Sequence, residues 1–149
     1  MQELADNLRI RLIGIGNPVV DISSLHNIEE EISSSALKIN YKVAAVINRP
    51  LSQVAVEVTM IYLIGQKTIF SGSLTTTFEV MYLASYISAN EGENEFRIES
   101  DFLPMLVSIA FSTSRGYFAR ELQGTALEQY PFPMISMESI KKRTSYKLV

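Results

Sequence analysis

The chain has 149 residues, a formal net charge of −3 and no cysteine, and hydrophobic residues make up 47% of it. This length fits a single domain, residues 1–149, with a sizeable core, and the composition excludes a disordered chain. The lack of cysteine excludes a disulfide framework, a thiolate zinc site and a cysteine nucleophile. The net charge argues against nucleic-acid binding. Because only 19% of the residues are charged, we expect part of the surface to be buried against other subunits or a ligand.

Neither targeting nor catalytic signals stand out. No apolar run approaches the ~20 residues that span a bilayer, and Met1–Asn7 is polar and acidic. We therefore expect a cytoplasmic protein without membrane insertion. The single histidine, His26, lies in a polar stretch and cannot by itself supply a metal site. Since no catalytic constellation surrounds it, the sequence predicts a protein that is not an enzyme and uses no cofactor or metal.

The first predicted strand begins at Leu8, where apolar residues alternate with arginines. Gly14 is expected to mark a bulge, and Gly16 and Pro18 are expected to end the strand. Residues 19–35 contain turn-forming residues and an acidic run, which predicts a long excursion.

Three further strands follow from strict alternation of apolar and polar residues. One covers 37–48, and a hairpin covers 53–80 with a tight turn at Gly65. Short connections force antiparallel neighbours, so the sequence predicts a four-stranded antiparallel sheet. The polar face of the hairpin is mostly threonine and serine, which hints that something covers it.

A long helix is predicted after Ser100 or Asp101, either of which can cap it, with Pro104 in its first turn and Gly124 at its end. Its first half is apolar on nearly every side, so we expect the sheet to cover one side and a second subunit to cover another. Gly116 predicts a close packing contact, because glycine is costly within a helix. The expected oligomer interface consists of Phe102, Leu106, Ile109 and Phe111.

A proline-bearing segment at 130–135 and a short helix starting at Ser136 complete the prediction. The fold class is therefore α+β: a four-stranded antiparallel sheet followed by a long helix and a short C-terminal helix. The last residues are basic and predict either a solvated tail or a contact for an acidic partner. These basic residues are Lys141, Lys142, Arg143 and Lys147.

In its order of elements the chain, over residues 8–140, resembles the SecB-like protein-export chaperones. The local similarity is best in the hairpin 54–80, and in Leu103-Pro104 followed by Ser114-Arg115-Gly116, since in that family a proline opens the long helix and Ser-Arg-Gly lies near its C-terminal part. The segment 131–135 looks like the proline-bearing segment that follows.

This resemblance implies a homo-oligomer, a dimer or a tetramer, that holds unfolded client proteins in apolar grooves without a nucleotide or metal. The family's third-to-fourth strand turn carries acidic residues that dock the translocase motor, whereas Gln66-Lys67 here is neutral to basic, which argues against that docking. A SecB-like relative that chaperones an antitoxin, or a small-ligand-binding protein on the same fold, are the alternatives.

The expected client groove combines the segment 130–140 with a mobile flap at 19–35. Prolines hold the apolar side chains outward, and methionines let the groove adapt to different clients. The alternative is that these residues belong to the core. The groove residues are Leu25, Ile28, Phe132, Met134, Ile135, Met137 and Ile140.

Overall fold

A single large sheet organises the molecule. The computed structural model describes residues 10–22, 36–89, 96–98 and 102–149, and for 17–22, 89 and 96–98 the backbone alone. The large sheet has the order β1-β4-β3-β2-β7, and β5 and β6 form a small two-stranded sheet. The strands are β1 (Ile10–Ile22), β2 (Leu37–Asn48), β3 (Gln53–Ile64), β4 (Lys67–Val80), β5 (Ile87–Ala89), β6 (Phe96–Ile98) and β7 (Thr144–Leu148).

Two α-helices accompany the sheet: α1 (Phe102–Glu121) and α2 (Met137–Arg143). Short 3-10 helices lie at Leu83–Tyr86 and Ala126–Gln129. The α+β class is confirmed, as are the long helix and the short one after it. The predicted cap of α1 at residues 100–101 lies outside the described residues.

The hairpin of β3 and β4 is the centre of the sheet. Val58 pairs with Val43 of β2 on one side and with Leu74 of β4 on the other, and all three are buried. Cross-strand neighbours share a face, so alternation places the whole apolar set on one side. Gly65 turns the hairpin at φ 62°, a left-handed conformation that glycine adopts without cost.

The strand β1 is longer than predicted. It continues past Pro18 to Ile22 and pairs with β4, although Gly16 and Pro18 were expected to end it. The register shifts between Leu12 and Gly14, which confirms the bulge, and again between Gly16 and Val19. Since β1 is an edge strand and Pro18 lies at an irregularity, its missing N–H costs the ladder little. The rest of the predicted excursion, residues 23–35, lies outside the described residues.

Helix α1 packs across the centre of the sheet, against β3 and β4. Leu106, Ala110 and Phe118 point into the core and are almost fully buried, while Met105 and Ile109 on the opposite side are exposed. The helix is thus buried on the face that it turns to the sheet, with Phe132 and Tyr86 adding ring contacts to Phe111 and Phe102.

The basic C-terminus is ordered, and the prediction of a solvated tail was wrong: Lys141, Lys142 and Arg143 lie in α2, and Lys147 lies in the strand β7. The strand β7 pairs in parallel with β2, so the sheet is five-stranded and mixed and not four-stranded and antiparallel. Val149 N–H donates to Ile47 O at 2.8 Å, and Arg49 N–H donates to Val149 O at 3.2 Å. Thr144 Oγ1 donates to Ile140 O at 2.5 Å and joins the strand to α2. Because these bonds lie mostly in the backbone, side-chain patterning did not predict them.

Candidate functional site

The proline-bearing segment is fixed to the core by Phe132. Its ring is only 7% exposed and packs edge-on against three rings of the core: Tyr41 and Tyr62, each with centroids 6.3 Å away, and Phe111 at 5.8 Å. Tyr62 Oη also donates to the carbonyl oxygen of Tyr130 at 2.8 Å. Side-chain burial and a backbone contact therefore hold the segment against the inner face of the sheet.

Tyr62 lies within the sheet and has the most perturbed environment among the described tyrosines. Burial raises the pKa of Tyr62 from 10.0 to about 12, because the phenolate would lose its hydration. The neutral phenol is the form that donates to Tyr130 O.

Helix α2 continues the same surface. Ser136 Oγ accepts from Ser139 N–H at 3.2 Å, which caps the helix, and the Ser139 hydroxyl lies 2.9 Å from Tyr41 Oη. Ile140 is buried, so α2 docks through its apolar side. The Arg143 guanidinium lies 4.9 Å from the centre of the Tyr41 ring.

Between these fixed points, two methionines point outward. Met134 is 83% exposed and Met137 is 38% exposed, and Ile135 between them is partly buried. Methionine is flexible and polarizable, so such side chains can adapt to differently shaped apolar partners. Flexible methionine side chains are therefore exposed on a segment whose backbone is held in place.

Of the seven predicted groove residues, two are buried, three lie wholly or partly at the surface, and two lie outside the described residues. Phe132 and Ile140 belong to the core, which corrects their prediction as exposed groove walls. Met134, Met137 and in part Ile135 lie at the surface. Leu25 and Ile28 lie outside the described residues.

The four residues of the predicted oligomer interface also differ in their exposure. Phe102, Leu106 and Phe111 are buried within the single chain, whereas Ile109 is 43% exposed. All three belong to the hydrophobic core of the protomer rather than to an exposed surface. Met105, which the sequence analysis did not select, joins Ile109 on the exposed face of α1. The contact predicted for Gly116 is absent within the described chain, where a Cβ at this glycine would meet nothing within 4 Å.

The second face of the sheet carries Ser71, Ser73, Thr75 and Thr77 of β4. Thr59 Oγ1 donates to Ser73 Oγ at 3.3 Å across β3 and β4, and Arg11 pairs with Glu79 at 3.2 Å across β1 and β4. Both α-helices lie on the other face, against the buried side chains of β2, β3 and β4. The sequence expectation that this face is covered stays a prediction.

Sequence reasoning missed Tyr41 and Tyr62 as residues that position the surface. Both occupy apolar positions of the strand pattern, and were therefore read as core. Their hydroxyls were the available signal, since a buried tyrosine usually finds a hydrogen-bond partner.

In the described part of the chain, no group of three or more His, Asp or Glu side chains is placed to hold a metal ion. None of the described helices is long and apolar enough to cross a membrane.

Comparison with solved structures gives a distant structural likeness. No protein-family model matches the sequence, and no curated protein sequence matches it. A solved structure of a SecB-like chaperone of Mycobacterium tuberculosis, in complex with a peptide from an antitoxin, is similar with a TM-score of 0.45 and 12% identity. The match covers 91% of this chain and 88% of that one. A likeness this distant does not by itself assign a function.

Proposed function

We propose that this protein is a chaperone of the holdase type, which binds extended apolar segments of unfolded proteins without a cofactor. The observation that carries the proposal is the pair Met134 and Met137, which are exposed on a segment that Phe132 and the Tyr62–Tyr130 hydrogen bond hold in place. Exposed methionines on a fixed support suit a partner whose sequence varies.

A low entropic cost of binding supports the same function. Pro131 and Pro133 flank Phe132 and limit the backbone freedom that the segment would otherwise lose when a client binds. Only the methionine side chains have to become ordered. Such a surface would hold many clients weakly, which is what a holdase requires. The resemblance of the sequence to the SecB-like chaperones, stated above, agrees with this function.

The double variant Met134→Glu with Met137→Glu tests the proposal. Both side chains are exposed, so we expect the variant to fold with a melting temperature close to that of the wild type. It should no longer suppress aggregation of a chemically unfolded client at stoichiometric concentration, because the carboxylates cannot enter an apolar contact.

The matched control is Leu51→Glu with Met81→Glu. Leu51 and Met81 are also exposed apolar residues, but they lie at the opposite end of the sheet, beside the β2–β3 turn. The control should hold clients as the wild type does. Equal suppression by the well-folded Met134/Met137 variant would refute this surface as the client site.

The small-ligand alternative gives a different result. A metabolite that copurifies and is seen by native mass spectrometry, together with no suppression of aggregation by the wild type, would replace the holdase proposal.

A further inference from the structure

Four cations lie along one edge of the sheet, and we call them the basic edge: Lys38, Lys42, Arg143 and Lys147. Lys38 and Lys42 alternate with core residues of β2 and are exposed on the face opposite the helices. Lys147 of β7 lies beside Val46 of β2 and therefore shares this face. Arg143 ends α2 just before β7.

These cations have no acidic partners in the described structure. The ion pairs there are Arg11–Glu79 and Lys142–Glu138, and neither includes a member of the basic edge. Glu57 of β3 lies beside Ala44 of β2 on the same face, but makes no ion pair with the described residues. The protein as a whole has a net charge of −3, so this edge departs from the general charge of the chain.

The same edge has an open stretch of backbone. β7 pairs with β2 only over Val43–Ile47, whereas β2 begins at Leu37. Between Leu37 and Lys42, β2 pairs with β3 on one side, and no other described strand lies along the other side. Unpaired N–H and C=O groups of an edge strand are a template to which an extended peptide can add.

Lysines on edge strands commonly prevent unwanted pairing. The lysines repel a basic strand, and they would lose hydration if an apolar strand covered them. An acidic strand, in contrast, would be attracted by the same lysines. The edge therefore selects its partner by charge. Arg143 lies on the helix side of the same edge. Its contact with the Tyr41 ring, together with the Tyr41–Ser139 hydrogen bond, places the guanidinium near the end of the open stretch, where it can meet a carboxylate on the other side of an added strand.

We propose that the open part of β2, Leu37–Lys42, binds an extended acidic segment of another polypeptide as an added strand, with its carboxylates against the basic edge. This mode of binding uses backbone hydrogen bonds and charge rather than the apolar side chains of Met134 and Met137, so the proposal goes beyond the holdase function. A polypeptide fits better than a nucleic acid, because only a polypeptide offers N–H and C=O groups at the spacing of a strand.

The probe is a fluorescein-labelled peptide of about twelve residues that alternates glutamate with valine and threonine, which gives it carboxylates on one face at strand spacing. We expect fluorescence anisotropy to show saturable binding that weakens with added salt. Hydrogen exchange should show new protection of the amides in 37–42. Lys42→Glu should weaken binding about tenfold, since it replaces an attraction by a repulsion.

The control variant is Arg120→Glu, which makes the same change in net charge at an exposed position of α1. It should bind the peptide as the wild type does. The Met134→Glu with Met137→Glu variant should also bind it normally, so failure of this proposal and failure of the holdase proposal are distinguishable.

Four results would overturn the proposal. They are no binding of the acidic peptide, equal binding of a peptide with lysine in place of glutamate, equal binding of an equally acidic peptide with two central prolines, and tighter binding of a twelve-nucleotide oligothymidylate. The third would exclude strand pairing, and the last would identify a polyanion surface.

Discussion

The ring of Phe118 in α1 lies directly over Gly72 of β4. A Cβ built at Gly72 would lie 2.5 Å from Phe118 Cε1 and 2.8 Å from Cδ1. Phe118 is itself buried and packs edge-on against Phe70, with ring centroids 5.9 Å apart, so it has little room to move aside. The missing side chain at Gly72 is therefore what lets this end of the helix approach the sheet.

Gly72→Ala should consequently destabilise the protein by about 2 kcal/mol through overpacking. Gly116→Ala is the matched control, because this helical glycine is exposed and its Cβ would meet nothing within 4 Å. There the same substitution should stabilise the helix by up to ~1 kcal/mol. Urea denaturation followed by circular dichroism measures both, and a Gly72→Ala protein as stable as the wild type would contradict the close contact.

The two predicted interface residues Ile109 and Phe111 should behave differently. We expect the wild type to sediment as a dimer or larger assembly, with Met105 and Ile109 in the contact. Ile109→Glu should yield a folded protein of lower mass, because Ile109 is exposed. Phe111→Glu should unfold it, because Phe111 is 3% exposed and a buried unpaired carboxylate costs several kcal/mol. A wild type that sediments as a monomer at micromolar concentration would refute the interface.

The raised pKa of Tyr62 predicts that the folded protein loses stability at alkaline pH. Its pKa is about 12 in the folded protein and 10.0 for a tyrosine in water, so between these values the folded state binds more protons than the unfolded state. This contribution is fully present below about pH 10 and is lost as the pH rises toward 12. Tyr62→Phe should cost about 1 kcal/mol at neutral pH through the lost bond to Tyr130. The stability difference between wild type and variant should then shrink above about pH 10, and a difference that stays constant to pH 11.5 would contradict the shift.

Deletion of residues 144–149 should reduce stability by an amount on the order of 2 kcal/mol, because it removes backbone hydrogen bonds to β2 and uncovers Val43–Ile47. The exposed edge should also promote aggregation. Thermal melts and light scattering measure the two effects. The control is Lys147→Ser with Tyr146→Ser, which keeps the backbone of β7 and should retain most of the stability. An unchanged melting temperature after deletion would mean that the C-terminus is a solvated tail after all.

The strands β2, β3 and β4 and the helix α1 could be predicted from the sequence, since their patterns are local. Alternation from Leu37 to Asn48 and across the Gly65 hairpin fixes which side chains share a face, and the sheet buries that face whatever lies beyond it. The class of the fold followed from these elements. Their short connections also fixed which of these strands are antiparallel neighbours.

The edges of the sheet could not be predicted in this way. The five residues of β7 carry no strong alternation, and only Thr144 among them is buried, so their pairing depends on backbone groups that a sequence pattern does not display. Pro18 was read as the end of β1, whereas the free side of an edge strand tolerates it. Both outcomes depend on which strand lies next to which.

The candidate site shows the same division. The sequence by itself determined that residues 130–140 form a proline-braced apolar segment. Only the tertiary structure decided which of its side chains are available: Phe132 enters the ring cluster of Tyr41, Tyr62 and Phe111, while Met134 remains in solvent. An apolar side chain is driven equally toward its own core and toward a partner. Its role is therefore set by whether the folded chain has a cavity that fits it.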